Sequence, residues 1–180
     1  MAIDPTLGAE RPVAGSWRPV VDPSGSLAVA WVGDVEATGA DVEAYRLADG
    51  RLELQPWPPT DDASEGRGQV VAEGPLGDFD VRWDESGKWF AVWVSDPAAP
   101  SLGRLSLYRV EPSNGNLEQP DGAPRDVPAL PGFSIGQGRL AWATPPGQGG
   151  EGSRVQIVAW SDAGVGTVET APGEDLIVVR

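Results

Sequence analysis

The chain has 180 residues, enough for one hydrophobic core, and its 27 acidic and 13 basic residues give a formal charge of −14, which disfavours nucleic acids and anionic membrane surfaces as partners. It contains no His and no Cys, which excludes a Ser-His-Asp triad, thiolate nucleophiles, disulfides and metal sites built on imidazole or thiolate. Its eight Trp indicate an ordered protein, its 24 Gly and 18 Pro indicate many turns, and its apolar runs are far shorter than the roughly 20 residues of a membrane-spanning helix.

An internal repeat begins after a predicted N-terminal extension of residues 1–14. Residues 15–25 match residues 77–87 at a constant offset of 62. In each copy an aromatic residue opens a short strand that ends at an Asp-x-Ser-Gly turn, where Asp can accept backbone hydrogen bonds and Gly supplies a positive φ. The pattern predicts a strand followed by a tight turn in both copies.

The second segment of each copy is apolar at nearly every position. Residues 26–34 and 88–96 keep the offset of 62, with Trp31 and Trp93 at equivalent places. Runs of this length, bounded by Gly and Asp, favour a strand buried on both faces over a helix. We expect these Trp residues, and Trp142 of a third copy, to pack in the core.

A third strand and a hairpin follow in the first two copies. Residues 42–47 match residues 105–110 at an offset of 63, with a shared Tyr-Arg pair, Tyr45-Arg46 and Tyr108-Arg109, that we expect to pack and hydrogen-bond rather than to bind. Asp-Gly and Asn-Gly between strand-like runs predict β-hairpins. The predicted turns and fourth strands are 48–50 with 51–54, and 111–115 with 116–118.

A third, more divergent copy starts at residue 132. It contains a Gly136-Gln137-Gly138 turn, an apolar strand at 139–143 and a strand at 154–160 in which Val158 stands where the Tyr residues stood. The closing apolar run, residues 175–180, predicts one more strand. This strand either opens a fourth repeat unit or completes another of the repeat units.

Two spacers separate the copies, at residues 55–74 and 119–131. Both are rich in Pro, Asp and Gly. Such composition is typical of loops, so we expect both spacers to be surface insertions.

The predicted fold class is all-β, because no run of about 12 or more residues has the period of a capped helix. Three four-stranded antiparallel copies are the plan of β-propeller blades within one repeat domain, residues 15–180. Because propellers close with about four to eight blades, three copies predict a partial propeller in a longer protein, half of a dimeric six-blade assembly, or an open stack of units, in that order. The predicted ranges are 15–74 for blade 1, 75–131 for blade 2, 132–171 for blade 3, and 172–180 for an extra closing strand.

The combination of an aromatic-led strand, an Asp-x-Ser-Gly turn, an apolar strand and a strand ending in Tyr-Arg resembles the WD-repeat-like propellers of the TolB type. The resemblance covers nearly the whole chain. Its motifs encode turns and packing rather than chemistry, and the Ser-Pro-Asp-Gly form common in that family is replaced here by Asp-Pro-Ser-Gly and Asp-Glu-Ser-Gly. The resemblance implies a bacterial, extracytoplasmic binding domain.

Four residues are candidates for ligand binding. Trp57 lies in a Pro-rich segment outside the repeat, where an aromatic side chain can anchor a partner or fold back over the blade. Arg18, Asp80 and Arg82 lie on first strands, which face the central channel of a propeller. Their alternative role is an internal salt bridge or simple solvation. No catalytic residue, metal site or cofactor is predicted.

The sequence favours a non-catalytic protein- or ligand-binding or sensing module of a larger bacterial regulatory or envelope protein. The expected partner is a protein or small molecule that the sequence does not identify, with no nucleic acid, no membrane insertion by this segment, and a homodimer in the six-blade arrangement. The alternative is the propeller portion of an enzyme: a carboxylate-based glycosidase, a metal-dependent lactonase or lyase, or the gating propeller of a peptidase.

Overall fold

The computed structural model describes residues 2–4, 9–11, 16–37, 45–58, 68–111, 115–147 and 152–172, and all regular secondary structure within these ranges is β-strand. None of these residues forms a helix of the length and hydropathy needed to cross a membrane. The strands are β1 Ala2–Asp4, β2 Ala9–Arg11, β3 Ser16–Val21, β4 Leu27–Ala37, β5 Tyr45–Pro56, β6 Gln69–Glu73, β7 Phe79–Trp83, β8 Trp89–Asp96, β9 Ala99–Val110, β10 Leu117–Glu118, β11 Val127–Ala129, β12 Phe133–Gly136, β13 Arg139–Ala143, β14 Arg154–Ser161, β15 Gly164–Val165 and β16 Glu169–Pro172.

Three antiparallel, blade-like sheets contain most of these strands, which confirms the predicted fold class. Sheet 1 has the order β3-β4-β5-β6. Sheet 2 has the order β7-β8-β9-β10, with β11 also pairing with β9, and sheet 3 has the order β12-β13-β14-β15, with β16 also pairing with β14. Strands β1 and β2 pair separately within the predicted N-terminal extension.

The chain divides into two compact units, residues 1–76 and 77–180. Sheet 1 lies in the first unit, and sheets 2 and 3 lie in the second. The predicted boundary between blades 1 and 2, at residues 74 and 75, lies close to the boundary between the units. The prediction of a closing strand at 172–180 falls almost entirely outside the described residues.

The Asp-x-Ser-Gly turns form as predicted. The carboxylate of Asp22 accepts three backbone N–H bonds at 2.8–2.9 Å within its own turn. The carboxylate of Asp84 accepts the N–H two residues further on at 3.0 Å. Gly25 and Gly87 have φ of 76° and 68°, a conformation that an L side chain rarely adopts. Burial of Asp22 raises its pKa, but these bonds together with the Ser24 hydroxyl outweigh it and hold the pKa below the ordinary value.

The predicted hairpin at Asp49-Gly50 is wrong, because β5 runs through both residues without a turn. Gly50 pairs with Gly33 of β4. A Cβ added to Gly50 would lie 2.4 Å from the Val32 carbonyl oxygen, and a Cβ added to Gly33 would lie 2.2 Å from the Asp49 carbonyl oxygen. The two glycines therefore allow a close backbone contact between strands. Residues 38–44, between β4 and β5, lie outside the described part of the chain.

The pairing of β4 with β5 changes how the third strands of the repeat copies align in sequence. Trp31 lies opposite Leu52, and Trp93 lies opposite Leu105. The equivalent third strands thus share the sequence Gly-Arg-Leu-x-Leu, residues 50–54 and 103–107, at an offset of 53 rather than 63.

The predicted match of Tyr45-Arg46 with Tyr108-Arg109 is therefore wrong. Tyr108 lies opposite Phe90, with 5.3 Å between the ring centroids, whereas Tyr45 lies opposite Ala37 at the far end of β4. The match of Val158 with these Tyr residues is also wrong, since Val158 is one position away from the equivalent of Tyr108 and further from that of Tyr45. Val158 lies opposite Leu140, two places before Trp142. Leu107 lies opposite Ala91, two places before Trp93, so Val158 is equivalent to Leu107.

The fourth strands differ from the prediction in sheet 1 and agree with it in part in sheet 2. Residues 51–54 belong to β5, and the outer strand of sheet 1 is β6, which lies in the predicted spacer 55–74. Strand β10 pairs with β9 as predicted. The spacer 119–131 is not wholly a surface insertion, because it contains β11, whose Ala129 is fully buried.

The core of the second unit lies between sheets 2 and 3. Trp89, Ala91 and Trp93 on one face of β8 pack with residues from β12, β13 and β14. Phe90 and Val92 on the opposite face of β8 are buried as well. These burial values confirm the prediction that this strand is covered on both faces.

Candidate binding groove

The three repeated Trp residues, Trp31, Trp93 and Trp142, are buried, as predicted. Their indole N–H groups differ in whether a hydrogen-bond acceptor lies within reach. Trp31 Nε1 donates to the Asp34 carbonyl oxygen at 3.2 Å, and Trp93 Nε1 donates to the Ala129 carbonyl oxygen at 3.1 Å. Trp142 is 2% exposed, and its Nε1 has no acceptor among the residues that the structure describes. Buried donors without a partner are rare in folded proteins, so this one calls for a physical explanation.

Trp142 also lines a groove of about 470 Å³. The groove lies at the junction of sheets 2 and 3, with lining residues on β11, β13 and β14, after β13 and before β16. Its volume is within the usual range for ligand sites, roughly 300–1,000 Å³. The lining residues are Val127, Pro128, Trp142, Thr144, Pro145, Pro146, Gln156 and Val168.

The local sequence explains why β13 and β14 stop pairing beside the groove. Pro145 and Pro146 follow β13 and have no N–H group, so they cannot extend the ladder with β14. The last bond before them runs from the Thr144 N–H to the Arg154 carbonyl oxygen at 2.9 Å. The chain leaves the sheet at this point, and its Pro rings form part of the groove wall.

The lining is mostly apolar and carries no charged side chain. Each of its two polar side chains, Thr144 and Gln156, makes a hydrogen bond within the protein. The Thr144 hydroxyl is within hydrogen-bond distance of the Arg154 carbonyl oxygen, at 3.3 Å, and Gln156 Oε1 accepts a bond of 2.9 Å from the Thr170 hydroxyl. The groove is therefore suited to a neutral, largely apolar ligand.

Of the two predicted binding residues in the first unit, Arg18 lies on sheet 1 and Trp57 lies directly after its strand β5. Trp57 follows β5, is partly buried, and its backbone N–H donates to the Ser26 carbonyl oxygen at 2.9 Å. Arg18 is exposed at the bulge of β3, where its φ is 49°, and its guanidinium lies 5.0 Å from the centroid of the Trp17 ring.

The other two predicted binding residues lie on β7 in the second unit, and the structure brings them together. Arg82 Nη2 lies 2.9 Å from a carboxylate oxygen of Asp80. Arg82 Nη1 also donates to the Phe133 carbonyl oxygen at 2.5 Å, and its guanidinium lies 5.0 Å from the centroid of the Phe133 ring. This arrangement links β7 of sheet 2 to β12 of sheet 3. Neither residue lines the groove.

Sequence reasoning missed the groove, although one signal was present. In the first copy the acceptor for Trp31 Nε1 is the carbonyl three residues later, at Asp34. The residue three places after Trp142 is Pro145, and the three residues after Trp142 are Ala-Thr-Pro instead of the Val-Gly-Asp of the first copy. The different sequence after Trp142 marks the copy in which the donor is unpaired.

No protein-family model matches this chain, and no curated protein matches it. The described residues also contain no group of three or more Asp or Glu side chains arranged to hold a metal ion.

Proposed function

We propose that the chain is a non-catalytic binding module, and that the groove beside Trp142 is its ligand site. The observation that carries the proposal is an apolar groove of about 470 Å³ whose eight lining residues include no charged side chain. Apolar concave surface of this size is typical of ligand sites, and its burial by a ligand supplies binding free energy.

The lining of the groove supports binding rather than catalysis. General acid and base catalysis needs a titratable group within hydrogen-bond reach of the substrate. None of the eight lining residues has a titratable side chain. A glycosidase would need two carboxylates at the site, so the groove does not favour that alternative.

The wider setting that we propose is a propeller-type repeat region of the TolB kind, within a larger bacterial regulatory or envelope protein. Three blade-like antiparallel sheets support it, as do the two Asp-x-Ser-Gly turns between first and second strands.

The binding proposal is tested with a neutral apolar fluorophore, Nile red, titrated against the wild-type chain and two variants. Val168 is 44% exposed and lines the groove, so Val168→Asp places a charge at its edge. We expect the Kd for Nile red to rise about tenfold, because an apolar ligand would have to desolvate the carboxylate.

The matched control is Leu102→Asp. Leu102 is 45% exposed, lies in the same unit and does not line the groove. Its variant is expected to bind Nile red as the wild type does. Two results would contradict the proposed function. One is equal affinity of Nile red for Val168→Asp and for the wild type, and the other is that Nile red binds none of the three proteins.

A further inference from the structure

We propose that the groove beside Trp142 is occupied by residues 176–179 of the same chain, and that a ligand must displace this segment to bind. These residues follow β16 and lie outside the part of the chain that the structure describes. The inference rests on the proposed function and adds a regulatory element to it. It depends on the sequence of the segment, its distance from the groove and its covalent attachment.

The sequence of residues 176–179 is Leu-Ile-Val-Val, four aliphatic side chains in succession. No other segment outside the described ranges has such a run. Residues 38–44 and 59–67, for example, combine acidic residues with Gly, Ala or Thr. Aliphatic side chains are more stable against apolar surface than in water. Among these segments, residues 176–179 therefore gain the most by docking on an apolar groove.

The end of β16 lies within reach of the groove. Pro172 pairs with Arg154 of β14, and the Arg154 carbonyl oxygen accepts the N–H of Thr144, a lining residue, at 2.9 Å. Two inter-strand spacings, roughly 10 Å in total, thus separate Pro172 from Thr144. The spacer at residues 173–175 spans about 10 Å when extended. Residue 176 can therefore begin at the rim of the groove.

The groove lies on the same face of sheet 3 as the side chain of Thr170 on β16. The Thr170 hydroxyl donates to Gln156 Oε1 at 2.9 Å, and Gln156 lines the groove. Val168, two residues before Thr170, lines it as well, since alternate residues of an extended chain share a face. Gly173 follows the strand directly and has no side chain to restrict a turn of the backbone toward this face.

Covalent attachment selects this segment over a separate partner of the same composition. A short tether gives an effective concentration on the order of 1 mM, so a segment whose intermolecular Kd is about 0.1 mM would occupy the groove in about nine of ten molecules. Neither the lining nor residues 176–179 carry a charged side chain, so docking removes no charge from water. The segment then raises the apparent Kd of a ligand about tenfold.

The test compares Nile red binding by the full wild-type chain and by Ile177→Asp/Val178→Asp. Neighbouring side chains of an extended segment point to opposite sides, so the double variant places a carboxylate on whichever side meets the groove. We expect this variant to bind Nile red about tenfold more tightly than the wild type, because the segment no longer competes. The control, Ala63→Asp/Ser64→Asp, adds the same two charges in the first unit and is expected to bind as the wild type does.

A second measurement needs no substitution. The ¹H–¹⁵N nuclear Overhauser effects of the Ile177 and Val178 amides report whether these residues move with the sheet on the fast timescale. In the free wild-type chain we expect values equal to those of β14, and we expect saturating Nile red to lower them as the segment is released. Low values in the free chain would overturn the inference, as would high values that Nile red leaves unchanged.

The outcomes separate this inference from the proposed function. Equal Nile red affinity of Ile177→Asp/Val178→Asp and wild type, together with binding that Val168→Asp weakens, overturns the docked segment and leaves the groove as the ligand site. Adding Val168→Asp to the double variant is expected to weaken Nile red binding. If it does not, the dye gained by the double variant lies elsewhere and the inference is wrong. Absence of Nile red binding to the wild type and the double variant alike overturns the groove itself.

Discussion

The carboxylate of Glu85 accepts the backbone N–H of Gln137 at both of its oxygens, at 2.7 and 2.9 Å. Glu85 lies in the turn between β7 and β8, and Gln137 lies in the two-residue turn between β12 and β13, 52 residues away. Gln137 and Gly138 have φ of 51° and 69°, as a type I′ turn requires. A single side chain thus joins the first hairpins of sheets 2 and 3.

This bond makes the stability of the second unit depend on pH. The Gln137 N–H stabilises the charged carboxylate and holds the pKa of Glu85 below its ordinary value of 4.5. The pKa of Glu85 is lower in the folded state than in the unfolded state. The stabilisation that its carboxylate contributes is therefore complete above the unfolded-state pKa and is lost as pH falls through the folded-state pKa. We expect Glu85→Gln to be less stable than wild type at pH 7, with a difference that shrinks as pH falls below about 4.5.

Urea denaturation between pH 7 and pH 3 measures this difference. Asp121→Asn is the control, since Asp121 is an exposed carboxylate of the same unit. A constant difference between Glu85→Gln and wild type over this pH range would show that the carboxylate charge is not what stabilises the contact.

The unpaired donor of Trp142 predicts unequal effects of two similar substitutions. Trp93→Phe and Trp142→Phe both shrink a buried ring and leave a cavity. Only the first also removes a hydrogen bond, the one from Trp93 Nε1 to the Ala129 carbonyl oxygen. We therefore expect Trp93→Phe to lower the free energy of unfolding by about 1–2 kcal/mol more than Trp142→Phe. Chemical denaturation of the two variants side by side measures the difference, and equal losses would mean that Trp142 Nε1 has an acceptor.

Local sequence signals predicted those parts of the fold that depend on neighbouring residues. The Asp22 and Asp84 turns need only a carboxylate and a glycine within four residues. Burial of the second strands follows from unbroken apolar runs, such as Trp89 to Trp93. Both features were predicted correctly because the residues that cause them are adjacent in the chain.

Features that depend on distant contacts were not predicted. Asp49-Gly50 has the composition of a hairpin turn, but its glycine is required for contact with Gly33, and no local rule contains that requirement. The groove arises where Val127 and Pro128 of one sheet meet Pro145 and Pro146 after another. Its position follows from sheet packing, which a single sequence does not specify.

The contact between Gly33 and Gly50 predicts a position that cannot accept a side chain. The Cβ of Gly50→Ala would meet backbone atoms on β4 at 2.4 and 2.7 Å, so the strands would have to separate. We expect a loss of about 3 kcal/mol in the free energy of unfolding, the range of severe overpacking. The control is Gly25→Ala, at a turn position with open space around it, where the positive φ alone is expected to cost about 1 kcal/mol. Thermal or urea unfolding of both variants tests the order, and an equal loss would contradict the close backbone contact.

Arg82, predicted from sequence as a binding residue, gives a final prediction about how sheets 2 and 3 are held together. Its guanidinium bonds the Asp80 carboxylate and the Phe133 carbonyl oxygen at once and lies over the Phe133 ring. Lys carries the same charge on a compact ammonium group, which cannot reproduce the planar, forked geometry of the guanidinium. Since the side chain of Arg82 is 35% exposed, the ion pair itself is largely screened, and we expect Arg82→Lys to lower the free energy of unfolding by about 1 kcal/mol, mainly through the Phe133 contacts.

Asp80→Asn separates the two contributions, because it removes the ion pair and leaves the Phe133 contacts of Arg82 in place. We expect it to cost less than Arg82→Lys, about 0.5 kcal/mol, and to become equivalent to wild type at high salt, where an exposed ion pair is screened. Urea denaturation at low and high salt provides both comparisons. An Asp80→Asn variant that loses as much stability as Arg82→Lys would place the stabilising effect in the ion pair on β7 rather than in the link from β7 to β12.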